Sequence, residues 1–255
     1  MKMRSIIVGN WKMNPTQKEV RPLAEGVAKG LSDQATFHDV VICPPFVFLS
    51  AVGEVCHGGT LQLGAQNVCS EPNGAYTGEI STEMLVDAGC EYVIIGHSER
   101  RQLMGESNSD VNLKMAACFK YGLCPIVCVG ETLSERQDKK TLNVIRKQLQ
   151  SLSGLKECSS NCIVAYEPIW AIGTGTVATP DQAQEVHHFI RSEWGSITGS
   201  HAVKEMRIIY GGSVKPGNID EIMEMRDIDG VLVGGASLDV SDFLRIIHYK
   251  EKVNG

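Results

Sequence analysis

Tyr92-Val93-Ile94-Ile95-Gly96-His97-Ser98-Glu99 is a short apolar run that stops at a glycine and turns polar at the next residue. The run does not alternate. A strand with one wet face would show a polar residue at every second position, so continuous Val and Ile predict a strand buried on both faces, the habit of parallel sheets.

The same pattern recurs along the chain. Strand-like runs fall at 5–8, 39–43, 60–64, 92–96, 124–129, 162–166, 207–210 and 230–233, starting about 32 residues apart on average. Helical stretches lie between them at 17–31, 112–121 and 135–153, and Thr179-Pro180-Asp181-Gln182 opens another with a capping pattern and Pro at the first helical position. Eight strand–helix modules in 255 residues predict a single-domain α/β protein, a parallel eight-stranded (β/α)8 barrel over 1–255. An open doubly wound sheet is the competing architecture.

Composition narrows the function. The chain is 43% hydrophobic and 21% charged, with net charge -6. That excludes a disordered chain and argues against nucleic acid as a partner, which would need a surplus of Lys and Arg. No window reaches the roughly 18 apolar residues of a membrane span, and the first residues carry no signal-peptide core. Nine cysteines, an odd number, are read as reduced thiols of a cytoplasmic protein. Cys124 and Cys128 share an apolar run and read as buried strand, so no metal site is expected.

The barrel makes a demand: chemistry belongs at the C-terminal ends of the strands. The runs end in Gly9-Asn10-Trp11-Lys12, Pro44-Pro45, Gly64-Ala65-Gln66-Asn67, Gly96-His97-Ser98-Glu99, Val129-Gly130-Glu131, Tyr166-Glu167-Pro168, Gly211-Gly212-Ser213 and Gly234-Gly235. All eight turn polar or Gly/Pro-rich at the same end. Together with Asn10–Asn14, Gly96–Arg101, Ala165–Gly175, Tyr210–Ser213 and Leu232–Leu238, these motifs resemble the triosephosphate isomerase family, in order and over the whole chain. The resemblance implies a TIM barrel that interconverts dihydroxyacetone phosphate and glyceraldehyde 3-phosphate in glycolysis and gluconeogenesis. It implies no cofactor, and a homodimer.

That reaction takes a proton from one carbon and returns it to its neighbour, so it needs a base and something to polarise the carbonyl. Glu167, ending an apolar strand beside Pro168 and Trp170, is the expected base. His97 is expected to donate to the carbonyl oxygen as a neutral imidazole, a role known for this family and carried over by the resemblance. Lys12 is suited to neutralise the phosphate and the developing oxyanion, with Asn10 on the same rim. A Ser-His-Glu hydrolase triad through Ser98 fails, because a strand neighbour of His97 would point to the opposite face and no Gly-x-Ser-x-Gly elbow exists. A Schiff-base lyase using Lys12 is the remaining rival, although such lysines favour strand interiors.

Backbone N–H groups at Gly173, Gly211-Gly212-Ser213 and Gly234-Gly235 are expected to bind phosphate. Pro168, Ile169, Trp170, Ala171, Ile172, Gly173, Thr174, Gly175, Thr176, Val177 and Ala178 are expected to form a water-excluding lid. Gly173-x-Gly175-x-x-Ala178 mimics a dinucleotide fingerprint, but the strand ends too early and the helix starts too late for it. Thr176-Val177-Ala178 stands where the family often has Lys. The long segment 66–81 reads as an Ω-loop. By resemblance it reaches a partner subunit, with Thr77 at the contact and Cys69 near the interface.

Overall fold

In a computed structural model, residues 3–34, 36–152, 161–172, 177–198 and 206–250 are described. The strands are β1 Ile6–Asn10, β2 Asp39–Cys43, β3 Leu61–Ala65, β4 Tyr92–Ile95, β5 Cys124–Val129, β6 Ile163–Tyr166, β7 Arg207–Tyr210 and β8 Gly230–Val233. They close into one barrel in sequence order, every pair parallel. Ile7 pairs with Val40 on one side and Val231 on the other, which leaves no sheet edge.

The unbroken apolar runs follow from this closure. Ile6, Val8, Val41, Ile94, Ile126, Cys128, Ile163, Ala165, Ile209 and Leu232 form a cluster of strand residues alone, the barrel interior. Their neighbours Ile7, Val40, Ile42, Val93, Ile95, Val127, Val164, Ile208 and Val231 join a second cluster with the surrounding helices. Side chains alternate across each strand, so both sets must be apolar. Each such buried side chain is worth about 1.5–3 kcal/mol over exposure.

The outer layer consists of α1 Gln17–Asp33, α2 Leu49–Cys56, α3 Thr82–Asp87, α4 Ser98–Leu103, α5 Asn108–Lys120, α6 Leu133–Gln137, α7 Thr141–Gln150, α8 Pro180–Thr198, α9 Ile219–Glu224 and α10 Val240–Ile247. The expected caps form at α8, where Thr179 and Gln182 bond each other's backbone N–H at 3.1 and 3.2 Å. The helix expected at 112–121 starts earlier, at Asn108, because Ser107 and Asp110 make a capping box. The single helix expected at 135–153 is two. Lys139 adopts φ 57, outside the helical region, and ends α6 before α7 begins; Ser153 lies outside the described residues.

One buried group ties stability to pH. His187 on α8 is fully enclosed, its Nδ1–H donating to the Ala183 carbonyl at 2.7 Å and its ring edge-on to Tyr166. Burial is the largest influence and pushes its pKa down to about 4. The unfolded chain therefore takes up this proton near pH 6.5 while the folded chain refuses it until about pH 4. Stability present above pH 6.5 is lost as pH falls across that window, by about 3 kcal/mol from this group. In urea denaturation at fixed protein concentration, the stability gap between wild type and His187→Gln should narrow by that amount from pH 7.5 to pH 4. Parallel pH profiles would disprove the depressed pKa.

Candidate active site

The C-terminal ends of the strands open into a cavity of about 550 Å³, lined by Asn10, Lys12, His97, Glu99, Glu167 and Ile172 together with residues 211–216 and 234–236.

Lys12 follows β1 at φ 51, a left-handed conformation that costs a non-glycine residue of order 1 kcal/mol or more. Two hydrogen bonds hold it there, and a third anchors the Gln66 that makes one of them. Its N–H donates to Asn10 Oδ1 at 3.0 Å, and Gln66 Nε2 donates to the carbonyls of both Lys12 and Cys43, each at 2.8 Å. Asn10 thus positions the lysine, and Gln66 ties the loops after β1, β2 and β3 together. The ammonium meets Glu99 Oε1 at 2.5 Å.

His97 caps the N-terminus of α4, and its Nδ1 accepts from the Glu99 N–H at 3.3 Å. Nε2 lies 3.0 Å from Glu167 Oε1, off the line of a good hydrogen bond. Burial lowers the His97 pKa, but the carboxylates of Glu167 and Glu99 outweigh burial and the Lys12 charge, and the net shift is upward. The amide donating into Nδ1 works against protonation, since it needs that lone pair, and it leaves the proton of the neutral ring on Nε2, facing the cavity.

Glu167 is buried at the end of β6, where its N–H extends the ladder to Val129 O at 2.8 Å. Its Oε2 accepts the Ser98 N–H, the first of α4, at 2.8 Å. Burial alone would raise its pKa; His97 and the Ser98 amide more than reverse that, so the carboxyl titrates below its ordinary value and is ionised at neutral pH. Two close approaches shape its surroundings. A Cβ at Gly130 would collide with the Glu167 carbonyl oxygen, and one at Gly211 would press on Glu167 Cγ at 3.0 Å. Only glycine fits at Gly130 without moving the Glu167 backbone.

Behind the carboxylate, Pro168–Ile172 begin the expected lid. Trp170 Nε1 donates to Glu131 Oε1 at 2.9 Å, and Tyr166 OH donates to the same carboxylate at 3.1 Å. Arg136 pairs with Glu131 at 3.2 Å and stacks 4.6 Å over the Trp170 ring. Of the remaining lid residues, Ala178 is buried and Val177 is exposed, whereas Gly173, Thr174, Gly175 and Thr176 lie outside the described residues.

The expected phosphate binders Ser213, Gly234 and Gly235 all line the cavity, and a Cβ at Gly234 would meet the Lys12 side chain at 3.5 Å; Gly173 is outside the described residues. Thr77 and Cys69 are apart from it. Thr77 is exposed on the 66–81 loop, whose neck closes through the Cys69 N–H to Ile80 O at 2.8 Å. Ser98 is not the strand residue that the triad argument assumed. It opens α4 and serves Glu167 through its backbone. Gln66, Glu131, Lys215 and Asp242 were not singled out from the sequence, because a strand-end Gln or Glu carries no distinguishing pattern and the last two reach the cavity from the turn after β7 and from α10.

A closed parallel barrel whose mouth unites a buried ionised carboxylate, an imidazole and a lysine defines a (β/α)8 enzyme equipped to move protons on a small polar substrate. Comparison with known proteins narrows that class. The triosephosphate isomerase family profile matches residues 5–250. The triosephosphate isomerase of Moorella thermoacetica is 50% identical over 250 residues, covering 97% of this chain and 99% of the relative. Those of Chloroflexus aurantiacus and Syntrophotalea carbinolica are 49% and 48% identical, over 96% and 97% of this chain and 98% of each relative. The chain belongs to the triosephosphate isomerase family.

Proposed function

We propose that Glu167, His97, Lys12 and Asn10 together carry out the reaction of this family, the interconversion of dihydroxyacetone phosphate and glyceraldehyde 3-phosphate in glycolysis. The observation that carries the assignment is the ionised Glu167 carboxylate, buried 3.0 Å from His97 Nε2. Substrate oxygen takes the carboxylate's place at Nε2. Glu167 then removes a proton from C1 of dihydroxyacetone phosphate, and the electron pair moves onto the carbonyl as an enediolate. The Nε2–H and the Lys12 ammonium stabilise that oxyanion; the C1 hydroxyl gives up its proton, the C2 oxygen takes one up, and Glu167 returns its proton to C2, leaving the carbonyl at C1. The phosphate rests against the backbone of Ser213, Gly234 and Gly235; the expected binder Gly173 and the middle of the expected 168–178 lid lie outside the described residues. No cofactor enters this scheme. The Schiff-base rival is not favoured: the family matched is triosephosphate isomerase, and Lys12 lies in the loop beyond β1 with its Nζ held by Glu99 at 2.5 Å.

The chain acts as a single domain and a cytoplasmic homodimer in this reading. Met13, Val47 and Tyr76 are 95%, 81% and 48% exposed on the loops after β1, β2 and β3, which neighbour one another in the barrel. Large apolar side chains grouped this way suit a covering partner, and Thr77 and Cys69 share the third loop. Among the described residues no helix is long and apolar enough to cross a membrane. A coupled assay on a sample sedimented in parallel tests both points. Turnover by a species of about twice the 27.8 kDa chain, with no adduct trapped by borohydride, is expected. A one-chain species refutes the dimer, and a reduced adduct on Lys12 refutes the proton-transfer mechanism.

A further inference from the structure

Among the described residues, the charged side chains lining the cavity are Lys12, Lys215, Glu99, Glu167 and Asp242. Three carboxylates against two ammonium groups make an anionic wall for a substrate whose phosphate itself carries about two negative charges at neutral pH. Lys12 is already paired with Glu99. Lys215 has no carboxylate within ion-pair distance among the described residues, so it is the one lining cation whose charge is uncommitted.

Its backbone is fixed. The Lys215 N–H donates to Asn218 Oδ1 at 2.8 Å, and Asn218 Nδ2 donates back to the Ser213 carbonyl at 3.0 Å. The N–H groups of Asn218 and Ile219 both reach Lys215 O, at 3.1 and 3.2 Å, as α9 begins. Asn218 therefore clamps Ser213 and Lys215 into one turn, and Val214 between them is buried. The turn presents a flexible four-carbon stem from a rigid base at the phosphate side of the cavity. Exposure keeps the ammonium hydrated, so it acts by long-range attraction on an approaching dianion and makes no dry contact.

We propose that Lys215 is a specificity-determining residue that captures the substrate phosphate and selects phosphorylated over neutral trioses. The proposal rests on the reading that this cavity takes a triose phosphate. Its test compares Lys215→Gln and Lys215→Glu with Lys29→Gln, which removes the same charge from the exposed C-terminal part of α1, toward the opposite pole of the barrel. The measurements are kcat and KM for dihydroxyacetone phosphate, the inhibition constant of inorganic phosphate, and turnover of phosphate-free glyceraldehyde, each at low and high ionic strength. Lys215→Gln should raise KM and the phosphate inhibition constant about three- to tenfold at roughly 10 mM salt, with kcat nearly constant and the effect fading by about 0.5 M. Lys215→Glu should shift both further, while glyceraldehyde turnover holds. Unchanged KM at low salt, an equal shift in Lys29→Gln, or a loss confined to kcat overturns the proposal. If phosphate fails to compete even in the wild type, the reading of the cavity itself falls, and that outcome is distinct from the others.

Discussion

Glu167→Asp should lower kcat for dihydroxyacetone phosphate by about 100-fold or more while leaving the protein folded. The carboxylate is placed by its backbone and by its partners. Its N–H is locked to Val129 O at 2.8 Å, and Gly130 and Gly211 pack directly against its main chain and Cγ. The backbone cannot follow a shortened side chain, so losing one methylene withdraws the base by more than 1 Å from wherever the full-length residue reaches. Proton transfer is steep in that distance. Glu167→Gln should lose more still, because it keeps the reach and removes the basic oxygen. Melting curves of both variants should stay close to wild type. Each leaves the Ser98 N–H an acceptor or water in an open cavity, not a void in the core. A kcat within threefold of wild type for the aspartate variant would remove Glu167 from the role of base.

The acid limb of the rate should also be displaced. His97 and the Ser98 N–H hold the Glu167 carboxyl below its ordinary range against the effect of burial. The free enzyme therefore keeps its base ionised to a lower pH than a solvent-exposed glutamate would.

How far these features could be read from sequence depends on what writes them. The barrel was legible because both faces of every strand are buried, so Ile6 through Val8 or Ile94 and Ile95 cannot hide a polar residue. The eight strands begin within one residue of their expected starts for the same reason. Asn10, Lys12, His97 and Glu167 were legible because motif and strand end coincide, and all four line the cavity. The break at Lys139 was not, since left-handed backbone at a lysine leaves no trace in an amphipathic pattern. Gln66 was quoted in the sequence but its work was invisible, because its two acceptors lie 23 and 54 residues away in the chain. The service of Ser98 to Glu167 runs through a backbone amide, which any residue at that place would supply. The Glu131 cluster likewise depends on Tyr166, Trp170 and Arg136 converging from three segments.

The second large effect is expected from Lys12→Met, which keeps a stem of similar length and removes the charge. Transition-state charge gathers on the former carbonyl oxygen, and a preorganised cation in a cavity is worth about 100- to 1000-fold there. The same ammonium also faces the phosphate side, so kcat should fall and KM should rise together. Loss of the cation frees Glu99, which is half exposed and can turn to solvent, so stability should change by less than about 1 kcal/mol. The strained backbone at residue 12 persists in the variant, because Asn10 and Gln66 hold it through main-chain atoms that methionine retains. Lys12→Arg separates charge from geometry: it restores the charge on a longer, planar group, and the tight contact with Glu99 leaves little room to place it. It should recover part of KM and little of kcat. If Lys12→Met raises KM alone and kcat at saturation equals wild type, the lysine binds the phosphate and does not stabilise the oxyanion. His97 Nε2 and the Asn10 amide are then the side-chain donors left to polarise the carbonyl, and the mechanism loses its cation.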